Sequence, residues 1–200
     1  GVDKMPLKEE KKRNIIEKSR EIFKEKGYNE TKVEDITKAL GISKGSFYTY
    51  FKSKEEVSIE ILKKLCAKYI DALNKIDISK SPKKILEDYI CCKINLFVKN
   101  FYKLNLQEMV NLLENNHIRE GKERIEIICR EFLKENILIK YENPSINIDF
   151  LSKFIEESID EHFCVEITEE KIGNKETYLE RKKEDIDQIV NFIHNGLLKK

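Results

Sequence analysis

Residues 40–43 read Leu-Gly-Ile-Ser, and no other stretch limits the fold as tightly. Glycine stops a helix because it enters left-handed backbone without steric cost. Serine starts one because its hydroxyl accepts a hydrogen bond from an unsatisfied N–H of the first turn. With Gly41 closing one helix and Ser43 opening the next, the chain must turn between them within one residue, Ile42. Two short helices joined in this way form a helix-turn-helix.

The flanking residues sharpen the reading. Thr31-Lys32-Val33-Glu34 has the spacing of a capping box, with the Thr31 hydroxyl expected on the Glu34 N–H and the Glu34 carboxylate reaching back. The helix after it is expected to turn Val33, Ile36, Ala39 and Leu40 inward. Ile42 and Phe47 are spaced as a hydrophobic staple across Ser43. Phe47 and Phe51 lie four apart, so they share one face and point to a core. The same periodicity sends Lys44, Gly45, Ser46, Tyr48 and Thr49 outward, with Tyr50 at the edge and Lys52 and Lys54 flanking. Lysines neutralise phosphates, and hydroxyls donate to phosphate oxygens or base edges. Gly45 lets a backbone approach closely, and free N–H groups at a helix start hold phosphate. A helical hairpin whose polar face simply meets water has the same spacing.

Charge points the same way. Residues 1–54 carry 14 basic against 9 acidic side chains, while residues 55–200 carry 24 against 28, although the whole chain has a formal charge of only +1. A basic N-terminal quarter on a mildly acidic body fits a polyanion partner for the first part.

The segment TKVEDITKALGISKGSFYTYFKSKEEV, preceded by a helix ending in Gly27-Tyr28, resembles the DNA-binding domain of the TetR family of bacterial transcription regulators. The resemblance rests on Thr31, Asp35-Ile36, Ala39, Gly41, Ser43-Lys44-Gly45, Phe47-Tyr48, Tyr50-Phe51, Lys52 and Lys54, and covers roughly residues 10–60. It implies DNA contacts from Thr31 and Lys32 at the start of the second helix. It also implies contacts from Ser43, Lys44, Gly45, Ser46, Tyr48, Thr49 and Tyr50 in the recognition helix, and a phosphate clamp at Lys54. Many relatives have His where this chain has Tyr50. A phenol still donates to phosphate but lacks the titration of imidazole near neutral pH.

The remainder reads as helical throughout. Only 7 Gly and 3 Pro interrupt 200 residues, and 38% of side chains are charged, which leaves little room for buried strands. Apolar periodicity and caps predict about nine helices in an all-α fold: 9–26, one from the Thr31 cap to Leu40, two turns from 44, 54–75, 82–102, 106–115, 118–140, 148–168 and 176–198. Residues 1–54 are expected to form a three-helix helix-turn-helix domain, and 55–200 a helical domain that binds an effector and dimerises, as the resemblance implies. Gly1 to Lys4 read as an artificial leader ahead of a natural start at Met5. No apolar run approaches the roughly 20 residues of a membrane span, and no secretory leader is visible, so the expected location is cytoplasmic and the membrane is not a partner.

Two apolar stripes in the last helices suggest a four-helix bundle across a two-fold axis. One is Ile148, Leu151, Ile155 and Ile159, continued by His162; the other is Leu179, Ile186, Val190, Ile193 and Leu197, with Ile189 and Phe192 beside it. Periodicity does not separate this from two stripes facing their own core; the resemblance favours the interface. By the same analogy, Tyr69, Tyr89, Cys92, Phe97, Met109, Leu113, Phe132 and Phe163 are candidate linings of a pocket for a lipophilic small molecule. Glu108 and Glu114 would select a cation if either faced inward.

Five cysteines in a chain of this size do not read as a disulfide framework. Adjacent Cys91 and Cys92 diverge by about 100° on a helix and do not grip one metal. His117, His162 and His194 lie far apart in sequence; a metal site built from them with Cys129 or Cys164 is the minor alternative, and no metal or cofactor is expected. No nucleophile–base pair, phosphate loop or ligand spacing marks an enzyme. The expected function is a ligand-responsive regulator, a repressor that binds a palindromic double-stranded operator as a homodimer. The alternative is a nucleoid-type helical DNA-binding dimer without an effector.

Overall fold

The computed structural model describes residues 7–101, 114–141, 143, 145, 147–164 and 177–198. Among these there are nine α-helices and no strand: α1 (Leu7–Lys26), α2 (Val33–Leu40), α3 (Lys44–Tyr48), α4 (Lys54–Leu73), α5 (Pro82–Phe101), α6 (Asn116–Asn136), α7 (Ile148–Ile159), α8 (Tyr178–Arg181) and α9 (Lys183–Leu197). The helix expected over 106–115 lies almost wholly outside the described residues, and the last expected helix is broken into α8 and α9 around Lys182. Helix α6 is followed by a 3-10 turn at Leu138–Tyr141. Helix α7 continues as a π-turn over Asp160–Cys164.

The chain divides into two compact units. Among the described residues, one holds 7–67 with 114–123 and the other holds 68–101 with 124–198. In the first, Ile15, Ile16 and Phe23 of α1, Tyr28, Ile36 of α2, Phe47 of α3, Phe51 and Val57 of α4 form one buried cluster. Val57 belongs to this core and Ile61 packs against it, so the apolar unit reaches beyond residue 54. Asn115 donates to Ser58 at 2.8 Å, both buried, which pins the start of α6 on α4. A Cβ at Gly121 would overlap the Leu62 side chain, so these two helices meet as closely as glycine allows.

In the second unit α5 is the central helix. Ile85, Leu86, Tyr89, Ile90 and Ile94 are fully buried along it. It packs on α9, α8, the π-turn and the 3-10 turn. Ser81 caps it, accepting from the Lys84 N–H at 3.3 Å, with Pro82 at the first helical position where its missing N–H costs nothing. Leu133, Ile137, Ile159 and Phe163 complete this core.

Candidate nucleic-acid interface

Helix α1 ends at Gly27, whose φ of 91° and N–H to the Phe23 carbonyl make a left-handed stop. The next helix starts one residue later than its sequence suggests. Lys32, not Thr31, is the N-cap, and its N–H donates to the Asp35 carboxylate at 2.8 Å. Thr31 is 1% exposed and its hydroxyl donates back to the Gly27 carbonyl at 2.6 Å. Its side chain thus ties the loop to α1 and offers no surface to DNA. The expected box failed because Asp35 competes with Glu34 for the capping position, and both are acidic. Ala39 is exposed rather than inward, and Thr37 is buried instead with its hydroxyl on the Glu34 carbonyl at 3.1 Å.

Gly41 adopts φ 64°, ψ 31°, and its N–H and that of Ile42 reach the Lys38 and Thr37 carbonyls. Ser43 then caps α3, its hydroxyl accepting from the Ser46 N–H at 3.0 Å. Phe47 and Phe51 are buried, with ring centroids 6.0 Å apart, and Ile42 packs against the same core. Lys44, Gly45, Tyr48 and Thr49 are exposed, Ser46 and Tyr50 half-buried. Tyr48 stands 53% exposed with its ring edge-on to Phe47, which braces the phenol while leaving its hydroxyl in solvent. The Thr49 hydroxyl donates to the Gly45 carbonyl at 3.0 Å. Lys32 and Lys52 are exposed on either side.

Two cations at this face are engaged within the protein. Lys44 forms an ion pair with Glu34 of α2, which raises the Lys44 pKa and lowers that of Glu34 through the shared hydrogen bond. Lys54 donates to the carbonyls of Tyr28 at 2.8 Å, Thr31 at 3.0 Å and Asn29 at 3.3 Å, with its ammonium 4.4 Å from the Tyr28 ring centroid. In the free protein Lys54 therefore staples the α1–α2 loop onto α4. Nothing in the spacing signals this, because the acceptors are backbone carbonyls about 25 residues upstream. Ser53 caps α4, accepting from the Glu56 N–H at 3.4 Å; the Glu56 carboxylate accepts from the Lys52 N–H at 2.6 Å.

In the second unit the expected pocket residues are distributed differently. Tyr69, Tyr89 and Phe163 are buried, Cys92, Phe97 and Phe132 half-buried, and Tyr89 stacks on Phe132 at 5.6 Å. Met109, Leu113 and Glu108 lie outside the described residues, and Glu114 is exposed. Sequence reasoning missed the polar centre of this unit. Lys93, 5% exposed, bonds Glu156 at 2.5 Å and Asp160 at 2.8 Å, and Tyr89 donates its hydroxyl to the other Glu156 oxygen. Burial works to lower the Lys93 pKa, but the two carboxylates raise it on balance; burial pushes the Glu156 pKa up. Burial also pushes the Cys129 thiol up to about 12, so it is held as an uncharged thiol. Each described imidazole has a separate neighbour: Glu120 for His117, Asp185 for His162 and Tyr141 for His194.

The stripes read as a dimer interface fare unevenly. Ile155, Ile159, Ile186, Val190 and Leu197 are buried within this chain, and Ile148, Leu151, Leu179 and Ile193 are half-buried. Periodicity marks an apolar face but not whose core it meets, and here the strongest positions meet their own. His162 is exposed. What these helices leave outward is Phe150 at 64% and Phe154 at 49% on α7, stacked at 6.2 Å, and Phe192 at 76% on α9. No described helix is long and apolar enough to cross a membrane.

Residues 15–61 match the model of the bacterial regulatory proteins of the TetR family. The chain is 33% identical over 141 residues to the HTH-type transcriptional regulator YerO of Bacillus subtilis, a match covering 66% of this chain and 47% of YerO. It is 32% identical over 85 residues to the HTH-type transcriptional repressor DhaR of a Mycobacterium species, covering 42% and 43%. The chain thus spans less than half the length of either curated relative. A crystal structure of a transcriptional regulator from Aquifex aeolicus is similar with a TM-score of 0.59 and 27% identity, over 89% of this chain and 98% of that one. Residues 15–61 thus match a TetR-family DNA-binding domain, and the chain shares the all-α fold of a solved transcriptional regulator.

Proposed function

We propose that the chain is a transcriptional regulator that docks α3 in the major groove of an operator, acts as a homodimer and represses until a small molecule releases it. The observation that carries the reading is the division of α3 into two faces. Phe47 is fully buried, while Lys44, Gly45, Tyr48 and Thr49 stand in solvent beside half-buried Ser46 and Tyr50. Ser43 is spent on the cap and Thr49 bonds back to Gly45, but the outward Tyr48 phenol and the Lys44 ammonium fit base edges and phosphates. Lys32 and Lys52 extend the charge. Repression follows the role of the repressor DhaR, to which this chain is similar. The exposed phenylalanines of α7 and α9 support a two-fold interface that would set two recognition helices about 34 Å or more apart. The half-buried aromatics beside α5 support an apolar effector.

Selection of bound duplexes from a random pool tests the reading. A palindromic consensus is the expected product. Enrichment without symmetry would contradict the dimer, and no enrichment would contradict DNA recognition by the free protein. Tyr48→Ala is expected to weaken binding to the selected duplex about tenfold or more with the thermal midpoint unchanged, because 53% of this side chain is already in solvent. Normal binding by that variant would remove Tyr48 from the recognition face.

A further inference from the structure

We propose that Glu34 is an electrostatic brake on the recognition helix: its carboxylate holds the Lys44 ammonium in the free protein and must release it before that ammonium can take a DNA phosphate. This inference rests on the DNA-binding reading above. From Thr31 to Lys54 the chain carries two acidic residues, Glu34 and Asp35. Asp35 has a structural task, since it accepts from the Lys32 N–H and from the Lys26 ammonium, both at 2.8 Å. Glu34 has none of that kind. Its side chain is 54% exposed, and it leaves α2 to pair with the first residue of α3, itself 55% exposed. An anion on the face turned to a polyanion repels it, so a carboxylate here works against affinity unless it serves another purpose.

The pair ties the two helices together, Glu34 lying in the first turn of α2 and Lys44 being the first residue of α3. Lys44 is thereby neutralised at the site where a phosphate would lie. Binding then exchanges one anion for another on the same ammonium, which shrinks the contribution of Lys44 and leaves Glu34 facing phosphates. The brake acts on every duplex, because phosphate contacts carry no sequence information. It therefore restrains non-specific binding, and hydroxyl contacts to base edges must supply the operator's advantage.

Four proteins decide the matter: the wild type, Glu34→Gln, Lys44→Gln and the double variant. Each is titrated with the selected duplex and with a scrambled one, across a series of salt concentrations. Both substituted side chains are more than half exposed, and thermal melts check that folding is retained. Glu34→Gln is expected to bind both duplexes about threefold to tenfold more tightly, with a salt slope steeper by up to ~0.9. The loss caused by Lys44→Gln is expected to be larger in the Glu34→Gln background than in the wild type. An equal loss in both backgrounds would overturn the proposal and leave Glu34 as a general repulsive charge. A smaller loss would overturn it too, because Glu34 would then be positioning Lys44 for contact. If no protein of the four binds any duplex, the DNA-binding reading itself falls and takes the brake with it.

Discussion

Lys54 shows how a residue can match a family motif and still be engaged elsewhere. Its ammonium closes three carbonyls of the α1–α2 loop and lies over the Tyr28 ring. Hydrogen bonds from a charged donor contribute about 1.5–3 kcal/mol each when measured singly, and a shared ammonium gives less than their sum. Lys54→Met keeps the aliphatic stem and removes the ammonium. It is expected to lower the stability of the first unit by about 1.5–3 kcal/mol while leaving the salt slope of DNA binding unchanged. Denaturant melts and a salt titration check this together. A slope reduced by about 0.9 at unaltered stability would restore the phosphate clamp. Thr31 teaches the same lesson in a smaller way. Its hydroxyl and the Gly27 carbonyl are four residues apart, but a sequence cannot say which of two local acceptors or donors a threonine selects. Ser43 was legible because its N–H partner is dictated by the helix it opens, and no rival cap stands beside it.

At the scale of elements, helix starts and stops were the most readable features. Gly27, Gly41, Ser43, Ser53 and Ser81 act where their chemistry requires. Ends without a breaker drifted: α6 tightens into a 3-10 turn, and α7 passes into a π-turn at Asp160. The polar tie between α5 and α7 was invisible because Lys93, Glu156 and Asp160 each look like an ordinary surface charge on a charged helix. Only the fold reveals that Lys93 and Glu156 are buried and that Tyr89 completes the set. Removing one member of a buried pair leaves the other uncompensated, at about 3–5 kcal/mol. Lys93→Met is therefore expected to destabilise the second unit by an amount near that range, whereas Lys93→Met with Glu156→Gln should recover most of the loss. The glutamine oxygen still accepts from Tyr89, and no buried carboxylate remains. Chemical denaturation of the three proteins measures the difference. Equal losses for the single and double variants would mean that packing around the lysine stem, and not its charge, holds α5 to α7.

At the scale of the whole molecule, the all-α plan and the basic start were readable because helix periodicity and net charge are sums over many residues. The assignment of apolar faces was not, since a face at 3.6-residue spacing looks alike whether it meets its own domain or a second copy. Within the chain, Ile155, Ile159, Ile186, Val190 and Leu197 are already satisfied. The apolar surface left over is aromatic: Phe150 and Phe154 on α7 and Phe192 on α9, the last 76% exposed. Large exposed aromatics on helices near a C-terminal end are what a homodimer would cover, and their removal should cost the monomer almost nothing. The double variant Phe154→Asp with Phe192→Asp is expected to sediment as a monomer with unchanged helical signal and thermal midpoint. It should bind a palindromic duplex about 100-fold or more weakly, because linking two half-site contacts raises avidity by that order, while a duplex with one half-site should be bound as before. Analytical ultracentrifugation and the two titrations read all of this in one series. A variant that stays dimeric would move the interface off these phenylalanines. A monomer that keeps full affinity for the palindrome would mean that one recognition helix carries the binding alone, and that symmetry in the operator is not read through this part of the molecule.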